Sequence, residues 1–86
     1  MATQIRGTVV DAARDPVGWA TVWFASGDHP TPDIAAVTDD DGRFSLTAPA
    51  PGTYRIGCRA EGHDVVETDV RVTTDDVEIT ITLTPT

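Results

Sequence analysis

The side chains best suited to catalysis are two histidines, a single cysteine, serines and numerous aspartates. Residues 26–29, "SGDH", contain the residue types of a hydrolytic triad. A triad needs its members brought from separate elements into a fixed geometry, and four consecutive residues of one loop do not provide it. We therefore predict no catalytic residues and expect that the chain is not an enzyme.

Aspartates crowd the segment "DDDG" at 39–42, which resembles part of a calcium-binding loop. Counted back from Gly42, the first and twelfth positions of an EF-hand loop fall on Val37 and Ala48, which cannot serve as its acidic ligands. Turn formation and solubility explain the aspartates as well. We therefore expect no metal site and no cofactor. The alternative is a different calcium site, for which the candidate ligands are Asp11, Asp39, Asp41 and Asp64.

Both tryptophans of the protein lie in "GWATVWFAS", residues 18–26. Side chains alternate between the two faces of a strand, so an inward aliphatic set turns Trp19 and Trp23 outward. They either cover their own sheet or contact a partner, unless the register is different and Trp23 points inward. Tryptophan and arginine are enriched at the centres of protein interfaces, and large exposed apolar patches mark such sites. The partner-binding residues that we predict are Trp19, Trp23, Arg43, Arg55 and Arg59.

Length and composition restrict the class of protein. Eighty-six residues, 40% hydrophobic and 23% charged, predict one globular domain over residues 1–86. A formal net charge of −8 argues against nucleic acid or an anionic membrane as the partner. Residues 1–20 contain no apolar run, so we expect no signal peptide, and no stretch of the sequence reaches the ~20 apolar residues that a membrane span needs. We expect no membrane insertion, and a protein that is cytoplasmic or part of a particle.

Period-2 alternation between clusters of glycine, proline and aspartate predicts seven strands and no helix. The predicted strands are β1 (4–10), β2 (20–25), β3 (34–38), β4 (43–48), β5 (53–60), β6 (65–73) and β7 (77–83). The expected core residues are Phe44, Leu46, Tyr54, Ile56, Val70, Ile79 and Ile81. His29 and His63 then fall in loops at opposite ends, and Cys58 points inward. Zinc binding by these three residues is therefore excluded.

Several segments resemble a known family: "IRGTVVDAARDPVGWATV", "VTDDDGRFSL" and "PAPGTYRIGCRAEGHD". Over roughly residues 4–84 they are similar to the carboxypeptidase regulatory-like domain family. The resemblance implies an all-β, transthyretin-like (prealbumin-like, Ig-like) Greek-key β-sandwich of seven strands. It also implies a non-catalytic accessory module. His63 departs from the family, which usually carries an aromatic residue there, and the module usually lies within a longer polypeptide.

The family topology implies two sheets with strand orders β3-β2-β4-β5 and β1-β6-β7. On that arrangement, the outer face of the first sheet carries the tryptophans together with Arg43, Arg55 and Arg59. The outer face of the second carries an ordinary solvated mixture that includes Glu67 and Asp69. We therefore expect one aromatic and basic face, with both tryptophans close to Arg43.

Taken together, these features predict a non-catalytic β-sandwich module that binds another protein or protein assembly. A structural or decorating subunit of a larger assembly, such as a phage-like particle, fits this prediction. The alternative is a ligand-binding module for carbohydrate or calcium. Homo-oligomerisation and the identity of the partner stay open.

Overall fold

The computed structural model describes residues 3–31 and 35–86, which form seven strands and no helix. The strands are β1 (Thr3–Val10), β2 (Thr21–Gly27), β3 (Ala36–Val37), β4 (Arg43–Ala48), β5 (Gly52–Arg59), β6 (Val66–Val72) and β7 (Val77–Thr82). Six of the seven lie within a few residues of their predicted bounds. β3 is only two residues long, and its predicted start at residue 34 lies outside the described residues. The all-β sandwich prediction is confirmed, and its Greek-key detail stays a prediction.

The strand order within the two sheets differs from the prediction. One sheet has three strands in the order β4-β1-β7, and the other has four in the order β3-β2-β5-β6. The predicted sheets β3-β2-β4-β5 and β1-β6-β7 are therefore wrong, because β4 and β6 have exchanged places. β4 pairs antiparallel with β1 over six residue pairs, from Thr3↔Ala48 to Thr8↔Arg43. β6 pairs antiparallel with β5 over seven.

The exchange has a simple physical origin. Alternation along β4 is complete, with every second residue buried, but alternation specifies which face is inward and not which strand is the neighbour. The turn at 39–42 carries the chain from one sheet to the other. Its Gly42 carbonyl accepts a hydrogen bond from Val9 N (2.7 Å), so β4 enters beside β1. Because β3 is only two residues long, it offers few backbone hydrogen-bonding groups with which β4 could pair.

The core lies between the sheets and follows the predicted alternation. Of the seven predicted core residues, six are buried and Ile79 is half-buried against them. Tyr54 is fully buried, and its hydroxyl donates to the Ala50 carbonyl. The ring of Phe24 tilts against that of Tyr54, with centroids 5.5 Å apart. Ala20 and Val22 are fully buried, which confirms the predicted inward face of β2 up to Phe24.

The connections fall into two groups, one at each end of the sandwich. The β1–β2 connection bonds to the β3–β4 turn through Trp19 N and Thr38 O (3.1 Å). The β5–β6 turn bonds to the segment after β7 through Asp64 N and Thr84 O (2.8 Å), and Leu83 N donates to Val10 O. These segments share one end of the sandwich. Among residues 3–31 and 35–86, no helix is long and apolar enough to cross a membrane.

Candidate protein-contact surface

Exposed apolar side chains gather at one end of the outer face of the four-stranded sheet. In the described part of the chain, the large hydrophobic residues classed as exposed are Trp19 (78%), Val37 (55%) and Val65 (59%). Val37 pairs with Thr21, and Thr21 pairs with Arg59 on the next strand. Val65 immediately precedes β6, whose first residue pairs with Cys58. We call Trp19, Trp23, Val37 and Val65 the apolar patch.

Trp19 has an unusual backbone conformation. Its φ is +63°, in the left-handed region, which costs a residue with a Cβ about 1–2 kcal/mol. The buried side chain of Thr38 holds the neighbouring backbone, because its hydroxyl donates to Val17 O and accepts from Ala20 N, both at 2.8 Å. Thr38 N also donates to Ala20 O (2.9 Å). The fold thus presents Trp19 in a strained and exposed position from a firmly bonded segment.

Trp23 lies differently from Trp19. It is half-buried, and its indole covers Gly57 on the neighbouring strand. A Cβ added at Gly57 would overlap the Trp23 ring. A glycine inside a strand often marks such a close approach. Trp23 therefore packs on its own sheet and presents only part of its surface to a partner.

The three predicted partner-binding arginines occupy three different settings. Arg59 is exposed and lines a shallow groove together with Trp19, Thr21, Ala60 and Glu61. Arg55 is on the same face, but further along β5 and held by two carboxylates of β6. Its Nε lies 3.1 Å from Asp69 Oδ1, and its Nη1 lies 3.6 Å from Glu67 Oε1.

Arg43 lies outside the four-stranded sheet. It is at the start of β4 in the three-stranded sheet, so its expected place on the outer face with Trp19 and Trp23 is wrong, and its proximity to them stays a prediction. The same change in strand order brings Glu67 and Asp69 onto the tryptophan face, which is therefore not purely basic. The hydrogen bond from Arg55 to Asp69 and the charges of Asp69 and Glu67 raise the pKa of Arg55. Trp19, Trp23 and Arg59 are the predicted site residues that the structure brings together.

The four candidate calcium ligands remain in three separate turns. Asp11 Oδ1 accepts from the backbone N–H groups of Ala13 (2.9 Å) and Asp15 (3.0 Å). Asp39 Oδ1 accepts in the same way from Asp41 and Arg43, both at 2.9 Å. No three His, Cys, Asp or Glu side chains within the described ranges are grouped to hold a metal ion. These carboxylates shape turns, as aspartates commonly do.

The other reactive side chains are also held in structural contacts. His29 Nε2 lies 3.0 Å from Pro51 O, and His63 Nδ1 lies 3.0 Å from Glu61 O, at opposite ends of the sandwich. Cys58 is fully buried, and desolvation by burial raises the pKa of its thiol to about 11. At neutral pH the thiol is therefore protonated and shielded, which makes it a poor nucleophile.

The raised pKa of Cys58 predicts a pH-dependent stability. The unfolded thiol ionises from about pH 8.5, whereas the folded thiol stays protonated up to about pH 11. The contribution to the free energy of unfolding is therefore complete below pH 8.5 and decreases as the pH rises towards 11, by about 3 kcal/mol in total. Denaturant titrations across this range should show the slope in wild type. Cys58→Ala should have lower stability but lack this part of the slope.

Sequence reasoning missed Thr38, Gly57, Val37 and Val65. For Gly57 a signal was present, since a glycine on the strand next to Trp23 indicates space for a large ring. For Val37 and Val65 the pairing of β3 and β6 had to be known first. Nothing in the sequence indicates that Thr38 would be buried and bonded on both sides of Trp19.

The sequence profile of the carboxypeptidase regulatory-like domain family matches residues 4–84, nearly the whole chain. This chain belongs to that family. The match agrees with the predicted resemblance and with the two-sheet structure. No curated protein has a sequence that matches this regulatory-like domain.

Solved structures of similar fold come from several kinds of protein. A streptococcal ancillary pilin has a TM-score of 0.77 at 19% identity, and covers 99% of this chain and 33% of its own. A cohesin–X–dockerin complex of Acetivibrio cellulolyticus has a TM-score of 0.72 at 23% identity, with coverages of 94% and 56%. Catechol 1,2-dioxygenase from an Acinetobacter species has a TM-score of 0.76 at 12% identity, with coverages of 98% and 52%. The regulatory-like domain thus spans about a third to about half of each matched chain, and at these identities the likeness establishes the fold alone.

Proposed function

We propose that this regulatory-like domain is a non-catalytic module that binds another protein through the apolar patch and Arg59. The observation that carries the proposal is Trp19, which is 78% exposed and has a φ of +63°. Neither property stabilises the isolated fold. An exposed indole in a strained backbone conformation is a typical sign that the position serves a function, because strain persists where the surroundings impose it and is concentrated at binding sites.

The surroundings of Trp19 fit a protein interface. Interface centres are enriched in tryptophan and arginine, and the groove here places Arg59 beside Trp19. Trp23, Val37 and Val65 extend the apolar surface across neighbouring strands. A carbohydrate platform is less well supported, because such platforms use two open rings and Trp23 is packed on Gly57.

The assembly we propose is a multi-subunit one, in which this domain is a structural or decorating subunit, for instance of a phage-like particle. Solved structures named as a pilin and as a cohesin–X–dockerin complex contain the same sandwich. The fold is thus compatible with an accessory role in protein assemblies. Attachment through one face of the four-stranded sheet would leave the three-stranded sheet free.

Trp19→Gly should separate association from folding. Glycine relieves the left-handed conformation but adds freedom to the unfolded chain, so we expect unfolding free energy to stay the same or to rise by up to about 1 kcal/mol. Loss of an interface tryptophan should weaken binding by about 2 kcal/mol, which is a factor of about 30 in Kd. The partner is first recovered from the host and purified. Thermal unfolding of the variant and its Kd for the purified partner are then measured.

Arg14→Gly is the matched control. Arg14 also has a positive φ, of +68°, and is exposed, but it is not part of the apolar patch. It should show a similar change in stability and should not weaken binding to the partner. A Trp19→Gly variant that binds the purified partner as tightly as wild type would show that the contact surface lies elsewhere.

A further inference from the structure

The net charge of the protein is concentrated around the apolar patch. The connections β1–β2, β3–β4 and β5–β6 carry seven of the 14 carboxylates and, of the arginines, only Arg14. They share one end of the sandwich, as their hydrogen bonds show. The three connections therefore carry a net charge of −6 out of −8, which becomes −4 when Arg43 and Arg59 at the adjoining strand ends are included. The seven carboxylates, which we call the acidic rim, belong to Asp11, Asp15, Asp39, Asp40, Asp41, Glu61 and Asp64.

The acidic rim borders Trp19 on two sides. On one side, a Cβ at Gly18 would lie 3.1 Å from Asp39 O and 3.6 Å from Asp40 Cα, so the β3–β4 turn packs against the residue before Trp19. On the other side, Glu61 lines the groove that contains Trp19 and Arg59. Acidic residues of two turns thus lie near Trp19 or the residue before it.

No arginine within the described ranges forms an ion pair with the acidic rim. The ion pairs found there join Arg6 to Asp76, and Arg55 to Glu67 and Asp69. The rim residues Asp39, Asp40, Asp41, Glu61 and Asp64 are all exposed. Unpaired carboxylates in this density repel one another, and a cationic partner would relieve that repulsion.

We infer that the partner of the apolar patch is a protein surface rich in lysine and arginine. The inference rests on the proposed function and adds the chemistry of the partner to it. A partner cation can sit on the exposed face of Trp19 as a cation–π contact, with carboxylates of the rim as its counter-ions. Apolar side chains of the partner cover Val37 and Val65, and Arg59 accommodates a carbonyl or carboxylate of the partner. Complementary charge of this kind raises the association rate and selects the partner.

A second copy of the chain is a poorer occupant of the same surface. Symmetric pairing through the apolar patch would bring two acidic rims together, and like charges facing each other oppose association. A nucleic acid or an anionic membrane would be repelled for the same reason. The electrostatics of this end thus favour a basic protein.

The test uses a random library of short displayed peptides as the probe. Wild-type protein is immobilised through its N-terminal end, because Thr3 pairs with Ala48 at the opposite end of the sandwich. Recovered peptides are synthesised and titrated against wild type, Trp19→Gly, and a charge-reversal variant that combines Asp40→Lys with Glu61→Lys. The matched control combines Asp75→Lys with Glu78→Lys, which are exposed and lie outside the acidic rim. Unfolding of every variant is measured alongside.

Some peptides should bind wild type but not the Trp19→Gly variant. We expect those peptides to carry a net positive charge. They should bind the charge-reversal variant about tenfold or more weakly, equivalent to 1.4 kcal/mol, and the matched control as tightly as wild type. Raising NaCl to about 1 M, where the Debye length is about 3 Å, should weaken the binding of these peptides to wild type by a similar factor.

Three outcomes would contradict the inference or its foundation. Peptides that depend on Trp19 but are neutral or acidic, and indifferent to charge reversal, would overturn the basic partner while keeping the contact surface. Self-association in sedimentation experiments that Trp19→Gly abolishes would identify a second copy as the occupant. Recovery of peptides that bind only in a Trp19-independent way would refute the proposed contact surface itself.

Discussion

Leu46→Ala should lower the free energy of unfolding by about 2–5 kcal/mol. Leu46 is buried in the centre of β4 and pairs with Ile5, which is fully buried. Truncation removes apolar contacts and leaves a cavity between the sheets, because a close-packed core collapses only in part. Small domains are stable by 5–15 kcal/mol in general, so the loss is a large part of the total. At 4–8 °C per kcal/mol for a domain of this size, thermal unfolding should shift by roughly 10 °C or more.

Thr47→Ala is the control for this prediction. Thr47 is the next residue on the same strand, but it is exposed and its hydroxyl only accepts a hydrogen bond from Gln4 Nε2 (3.0 Å). Surface substitutions of this kind usually change stability by less than about 0.5 kcal/mol. If Leu46→Ala and Thr47→Ala had equal midpoints in denaturant, the inward face of β4 would be assigned incorrectly.

The inward faces of the strands were predictable from the sequence. Tyr54, Ile56 and Leu46 alternate with polar residues, and a period of two leaves only one of two faces for them. The segment "DDDGRF" also predicts a hairpin turn between β3 and β4 with a positive φ at Gly42; the positive φ is correct, but the two strands lie in different sheets and form no hairpin. Gly42 has a φ of +75° in the structure. The inward faces and this φ depend on residues close together in the chain, so the local sequence was sufficient to predict them.

The neighbours of β4 and β6 were not predictable in this way. A strand with one apolar face packs equally well in either sheet of a sandwich, and the choice depends on contacts distant in sequence. Two such contacts are the pairing of Arg43 with Thr8 and the pairing of Asp69 with Arg55. The charge of the tryptophan face was therefore assigned incorrectly, although each residue's outward direction was correct.

The difference between the two tryptophans was also not predictable from the sequence. Alternation places both outward, but it does not reveal that Trp23 lies over Gly57 while Trp19 precedes β2 with a left-handed backbone. The Thr38 hydroxyl bonds to Val17 O and Ala20 N, on either side of that backbone. Trp23 thus packs on the sheet, whereas Trp19 is exposed to solvent.

Gly42→Ala is the second substitution for which we expect a large loss of stability, about 2–5 kcal/mol. A residue with a Cβ at a φ of +75° already costs about 1–2 kcal/mol. The added methyl group would also lie 2.5 Å from Val9 O and 3.1 Å from Val17 N. These two atoms form a hydrogen bond of 2.8 Å, so the methyl group would force it apart, and overpacking of this kind costs a further ~1–3 kcal/mol.

Gly62→Ala separates the two causes. Gly62 has a nearly identical φ of +78°, but a Cβ there would have no atom within 4 Å. Its substitution should therefore cost only the conformational term of about 1–2 kcal/mol, and the difference between the two variants measures the crowding at Val9 and Val17. Equal losses in denaturant titrations would mean that the β3–β4 turn can move aside freely. A larger loss for Gly42→Ala means that the turn is rigidly packed on the segment leading to Trp19, which the proposed contact surface requires.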